Sequence, residues 1–187
     1  MKIKNNNYLI VLIIVLNFLI LNTRVNSMEN KSFYDIELEL ISGETIELKK
    51  YKGKTILLVN VASNCGFTNQ YNDLQNLWDE YREKNLVVLG VPSNQFGAQE
   101  PGSNKEIKEF CEVNFNISFP LTIKYDVKGE NAHEIYKWAE YTHGKSAIPK
   151  WNFHKILIDK DGKVSDTYAS FTNPMSKKII KKLENIL

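Results

Sequence analysis

The sequence predicts a single α/β domain built on a central mixed β-sheet, preceded by a short β-hairpin. Two observations carry that prediction. Lys54–Ala62 (KTILLVNVA) and Leu86–Val91 are continuous apolar runs rich in β-branched residues, the pattern of strands buried on both faces. Each is followed by a stretch in which apolar residues recur every three or four positions, the pattern of a helix packed on such a sheet.

Taken in order, Phe33–Leu48 alternates about a Ser42-Gly43 turn and reads as the hairpin. After the first buried strand, Tyr71, Leu74, Trp78 and Tyr81 mark an amphipathic helix over Thr68–Tyr81. After the second, Ser103-Asn104-Lys105-Glu106 is a capping box that opens a helix carrying Ile107, Phe110 and Cys111. His133–Tyr141 reads as a further helix. Phe153–Asp159, the Asp161-Gly162 turn and Val164–Tyr168 read as strand, turn and strand. Asn173-Pro174 then begins a terminal helix with Ile179, Ile180 and Leu183 on one face. No repeat, linker or low-complexity tract divides the chain.

Residues 1–27 stand apart as a signal peptide or signal anchor, leaving 28–187 as the domain. Lys2 and Lys4 precede a 14-residue apolar run, Tyr8–Leu21, broken only by Asn17, and Val25-Asn26-Ser27 supplies small residues for cleavage. The run is short for a membrane span, which takes about 20 residues. The expected destination is the secretory pathway or an organelle reached through it, a plastid type included. Initiation at Met28 instead would leave the protein cytosolic. The 24 Lys+Arg and 22 Asp+Glu are interspersed, so no basic arm or stripe recommends nucleic acid as a partner. Without Lys2, Lys4 and Arg24 the balance is 21 to 22, close to neutral.

Two cysteines, Cys65 and Cys111, make up the thiol inventory. Cys65 lies in Ala62-Ser63-Asn64-Cys65-Gly66-Phe67-Thr68, between a buried strand and a helix. Helix N-terminal N–H groups favour an anion, so the position predicts a lowered thiol pKa and a nucleophilic thiolate. A merely buried cysteine, or one half of a structural disulfide, remains open on position alone. His133, His143 and His154 are too widely spaced for a local metal motif, and no metal or other cofactor is expected. Asn116-Ile117-Ser118 is a formal glycosylation sequon.

Three segments together resemble the glutathione peroxidase family. Lys54–Thr68 is similar to its first signature, Val88–Gly97 (VLGVPSNQFG) continuing through Gln99-Glu100-Pro101-Gly102-Ser103 to its second, and Lys150-Trp151-Asn152-Phe153 to its third. The order and spacing match, and the resemblance runs from about residue 30 to the end. It implies a thioredoxin-like fold and a catalytic tetrad of Cys65, Gln99, Trp151 and Asn152. The chemistry is coherent with that grouping, because the two amides and the indole are hydrogen-bond donors for a thiolate and a departing alkoxide. Taken singly, Trp151 could equally be a core aromatic, and Gln99 and Asn152 loop caps.

The resemblance also places Cys111, 46 positions after Cys65, where non-selenium members carry a resolving cysteine. A sulfenic acid on Cys65 would condense with that thiol. A static disulfide and a dithiol oxidoreductase are the alternatives, the latter opposed by the lack of C-x-x-C. Departures from the family pattern are Ser93 in place of a third cysteine, Val91 in place of Phe, and cysteine in place of selenocysteine. The short Tyr141–Trp151 connection implies a monomer with an open site able to admit hydrogen peroxide and organic or lipid hydroperoxides, the membrane entering only as their source or through the leader. Arg82 is the only arginine after residue 27, so thioredoxin or a thioredoxin-like protein is the expected reductant, ahead of glutathione.

Overall fold

The computed structural model describes Ile10, Leu12 and Ile13, which are helical and exposed, and residues 32–187. The leader's ends and its cleavage site lie outside the described residues. No helix among the described residues is long and apolar enough to cross a membrane.

The two apolar runs form β3 (Thr55–Val61) and β4 (Leu86–Pro92), paired in parallel and buried at every position. β5 (Lys155–Ile158) pairs antiparallel with β3, and β6 (Val164–Tyr168) antiparallel with β5, giving the mixed order β4-β3-β5-β6. Complete burial of β3 follows from its interior place, with helices and loops covering both faces. Helices α1 (Gln70–Tyr81), α2 (Asn104–Phe115), α3 (Glu134–His143) and α4 (Lys177–Ile186) complete the domain. Ile179 and Leu183 of α4 are buried as the spacing predicts.

The hairpin is shorter than the alternation predicts, with β1 (Glu37–Glu39) and β2 (Thr45–Glu47). Its flanks are 3-10 turns, because Ser32 and Asp35 form a capping box around Phe33–Asp35 and Leu48–Tyr51 coils in turn. Residues 120–123 stitch this hairpin to the edge of the main sheet. The Gly90 N–H donates to Pro120 O (2.9 Å), and the Ile123 N–H donates to Glu39 O (2.9 Å). Gly90 is required there, since a Cβ would lie 2.5 Å from Leu121 Cδ2.

Three other boundaries move for reasons of hydrogen bonding. α1 begins at Gln70 and not at Thr68, because the Thr68 hydroxyl is committed to the preceding loop. β5 begins at Lys155 and not at Phe153, whose backbone is left-handed at φ 61°. α4 begins after Ser176, since Asn173 closes a turn by accepting from the Met175 N–H (2.7 Å). The Ser103 capping box of α2 is present as predicted, with the Ser103 N–H donating to Glu106 Oε2 (2.7 Å).

Candidate active site

β3 ends at Val61 and delivers the chain into a tight loop that holds Cys65. The Thr68 hydroxyl organises this loop: it accepts from the Cys65 N–H (3.0 Å) and donates to Ala62 O (3.0 Å). Cys65 is buried to 9% exposure, and the hydrogen bond that reaches its Sγ comes from the Phe67 N–H (3.4 Å). That donor belongs to the loop and not to the first turn of α1. The first helical N–H groups are already used within the turn, Gln70 to Phe67 O (2.9 Å) and Tyr71 to Thr68 O (3.0 Å).

The loop is braced from the far side by residues 99 and 100. The Asn64 N–H donates to Gln99 O (3.0 Å), and the Ser63 N–H donates to Glu100 Oε2 (2.9 Å). The Gln99 side chain accepts from Asn152 Nδ2 (2.8 Å), so these two predicted site residues are in direct contact. Asn152 is fully buried, and its Oδ1 has no partner among the described residues. Trp151 is 41% exposed and leans on Phe96, with ring centroids 5.8 Å apart. A Cβ on Gly97 would touch both Gln99 Cγ (3.6 Å) and Trp151 Cη2 (3.7 Å), so the two residues flank the same glycine.

Asn60 was not anticipated from sequence, although it is the one polar residue inside the apolar run of β3. It is wholly buried and ties down the segment that carries Trp151 and Asn152. Its Nδ2 donates to Trp151 O (3.1 Å), its Oδ1 accepts from the His154 N–H (3.1 Å), and its backbone O accepts from the Phe153 N–H. This clamp produces the left-handed Phe153 and delays the start of β5. Lys155 is a second unanticipated anchor. Its buried ammonium donates to Gln70 Oε1, Ser170 O (3.2 Å) and Thr172 O (2.6 Å), tying β5 to the start of α1 and to the loop after β6. Burial pushes its pKa down to about 7.

Beside Trp151 opens a cavity of about 490 Å³, walled by Phe67, Trp151, Phe171 and Ala169, with Lys150 and His154 among its polar residues. Phe67 joins this cavity to the sulfur through its N–H. His154 is pushed down to about 4 by burial first and then by Lys155 and Lys150, so its ring is neutral at physiological pH. His133 caps α3 and stacks on Tyr125. No cluster of potential metal ligands occurs among the described residues.

Cys111 lies in the interior of α2, fully buried, and both thiols are free. Burial pushes the Cys111 thiol up to about 11. It shares the apolar core cluster with Cys65, Tyr71 and Ile107, and the Tyr71 ring packs on Phe115 (5.2 Å) and Phe153 (5.5 Å).

The glutathione peroxidase family profile matches residues 33–140, which span this loop, its brace and α2. The chain belongs to the glutathione peroxidase family. Among its relatives is "Glutathione peroxidase-like peroxiredoxin 2" of Saccharomyces cerevisiae, 46% identical over 149 residues that cover 78% of this chain and 91% of the relative. "Hydroperoxy fatty acid reductase gpx1" of Synechocystis is 40% identical over 158 residues, covering 80% and 94%. The crystal structure of T. cruzi GPX1 superposes with a TM-score of 0.65 at 30% identity, over 83% of this chain and 96% of that one. The fold extends to thiol–disulfide enzymes: a thiol-disulfide isomerase of Corynebacterium glutamicum superposes with a TM-score of 0.61 at 15% identity over 85% and 97%. The fold is thioredoxin-like.

Proposed function

We propose that this glutathione peroxidase family member is a thiol peroxidase that reduces hydroperoxides with Cys65. The observation that carries the reading is the geometry around that sulfur. A free cysteine sits in a rigid loop with a backbone N–H on its Sγ, and the same loop is hydrogen-bonded to Gln99, whose amide holds Asn152. The Cys65 thiolate attacks the terminal peroxide oxygen, the O–O bond breaks, and the alkoxide leaves as the alcohol after protonation. Cys65 is left as a sulfenic acid. Gln99, Trp151 and Asn152 serve as preorganised donors to the developing charge, since none of them titrates in the useful range. Cys111 then condenses with the sulfenic acid to give a Cys65–Cys111 disulfide and water.

A thioredoxin-like dithiol is the reductant that fits this disulfide. The only arginine after residue 27, Arg82, sits at the end of α1, where it pairs with Asp79 (3.7 Å) and Glu83 (3.8 Å), so it is not held ready for a glutathione carboxylate. The apolar cavity beside Trp151 suits the acyl part of organic and lipid hydroperoxides, in keeping with the name of the Synechocystis relative. The protein works as a monomer, and residues 1–27 direct it into the secretory pathway or an organelle beyond it. N-terminal sequencing of the native protein checks the latter.

Peroxide consumption by variants tests the assignment. Cys65→Ser abolishes it in a folded protein, whereas Cys111→Ser consumes about one equivalent and then stops turning over with thioredoxin and its reductase. Substantial activity in folded Cys65→Ser removes Cys65 as the nucleophile. Normal thioredoxin-supported turnover of Cys111→Ser removes Cys111 as the resolving residue.

A further inference from the structure

Glu100 is a buried carboxyl that the peroxide step does not use. It is 1% exposed, and its Oε2 is held by the Ser63 N–H, two residues before Cys65. Its backbone N–H is fixed by Asn94 Oδ1 (2.8 Å). Lys124 hydrogen-bonds to the backbone oxygens of Glu100 (3.1 Å) and Gly102 (2.7 Å), and the carboxyl has no direct ion pair among the described residues. Glu100 lines a cavity of about 220 Å³ whose walls are Ser63 and Asn64 of the Cys65 loop on one side, and Ile107 and Phe110 of α2 on the other. Ile107 lies one helical turn before Cys111 and Phe110 directly precedes it. The carboxyl therefore stands in the gap between the two elements that carry the cysteines.

We propose that Glu100 is the proton acceptor and donor for closure of the Cys65–Cys111 disulfide. The inference rests on Cys111 being the resolving cysteine. The Glu100 carboxylate takes the proton from the Cys111 thiol, and the thiolate sulfur attacks the Cys65 sulfenic sulfur. An S–S bond forms as the S–O bond breaks, and the departing hydroxide takes the proton from Glu100 to leave as water. The carboxylate is restored. Cys111 is oxidised and the sulfenic sulfur reduced, so no further electron carrier is needed.

Two features make the role chemically apt. Cys111 has a thiol raised to about 11, so a neutral thiol reaches the gap and needs a base. Burial raises the Glu100 carboxyl above its ordinary value, which brings a carboxylate closer to the pH at which a general base is most effective. The titratable and charged groups around it are Lys124 of the segment that follows α2, Glu106 of α2 on the same cavity, and Tyr71 and Cys111, whose pKa values its charge helps to raise.

The test separates the two chemical steps in Glu100→Gln, which retains an acceptor for the Ser63 N–H. Stopped-flow fluorescence with one equivalent of hydrogen peroxide follows sulfenic acid formation, and quenched-flow alkylation with mass analysis follows the disulfide. The expected result is a peroxide step within about twofold of wild type and disulfide closure slowed by about 100-fold, the scale of a lost general base. Closure in the variant also rises with hydroxide as the Cys111 thiol ionises, whereas wild type shows in addition the titration of a carboxyl raised above its ordinary value. Glu100→Asp, which keeps the base on a shorter arm, recovers part of the rate and gives the readout should the glutamine variant fold poorly. Closure at the wild-type rate in Glu100→Gln overturns the inference alone, as does slowed closure with an unchanged pH profile. Absence of any Cys65–Cys111 disulfide in oxidised wild type overturns the resolving assignment and the inference together.

Discussion

Replacing Asn60 by alanine removes both side-chain hydrogen bonds that hold the 151–154 segment to β3, the bonds to Trp151 O and from the His154 N–H. His154 is buried, so its N–H is left without water or partner, at a cost of about 1–3 kcal/mol. Trp151 is half-exposed, so water replaces the lost donor and only the net bond of about 0.5–1.5 kcal/mol disappears. Together the expected destabilisation is about 2–4 kcal/mol, within the 5–15 kcal/mol typical of a domain, so the variant still folds. The functional effect is larger than the stability effect implies, because Trp151 and Asn152 are then referred to the strand that leads to Cys65 only through the backbone bonds of residue 60 to Phe153 and His154. Loss of positioning on the scale of an ångström costs up to about 100-fold in rate, and a 10- to 100-fold slower reaction with hydrogen peroxide is expected. Urea unfolding measures the first quantity and stopped-flow fluorescence of the reduced protein the second. A variant within about 0.5 kcal/mol of wild type, the ordinary range of a surface change, and with an unaltered peroxide rate would refute the clamp.

Other outcomes are equally open to measurement. Gln99→Ala and Asn152→Ala slow the peroxide step, each by about 3 kcal/mol of lost donor stabilisation, with little effect on reduction of the disulfide; unchanged rates in both remove them from the site. His154 is held neutral in the fold, at about 4 against 6.5 unfolded, so between these values the unfolded chain binds the proton and the fold does not. Its contribution is complete above pH 6.5 and declines as the pH falls toward 4, by about 3 kcal/mol, and His154→Phe flattens that slope in urea melts. Cys111 is buried mid-helix in α2, and the hypothesis to test is that closure of the disulfide, which needs Cα atoms within about 7 Å, unwinds residues near 109–116. Hydrogen exchange over 107–116 then rises in the oxidised protein; equal protection in both states, with the disulfide confirmed by mass, means that no unwinding occurs.

Within the last turn of α2, Val113 is 73% exposed, whereas Phe115 packs on Tyr71 and the N–H of left-handed Asn116 donates to Cys111 O and Glu112 O, so these are the contacts that opening has to break. Poor helix formers at Val113, Asn114, Phe115 and Asn116 already mark the same stretch in the sequence.

Local rules were enough for much of the protein. Continuous apolar runs identified β3 and β4, three-to-four spacing identified the helices, and Ser103 with Glu106 placed the start of α2 to the residue. Family motifs named Cys65, Gln99, Trp151 and Asn152, because each lies in a short contiguous signature, and Cys111 was named by its spacing of 46 positions from Cys65. The partners that hold those residues were not legible in this way. Asn60 acts on residues 151–154, Glu100 on Ser63, and Lys155 on Gln70 and residues 170–172, pairings separated by 15 to 94 positions. In sequence Asn60 is an oddity in an apolar run and Lys155 a charge in a strand. Only the folded sheet supplies the unpaired backbone groups that make a buried amide and a buried ammonium affordable there, because a polar group leaves water at tolerable cost only when the tertiary structure brings its partners to it.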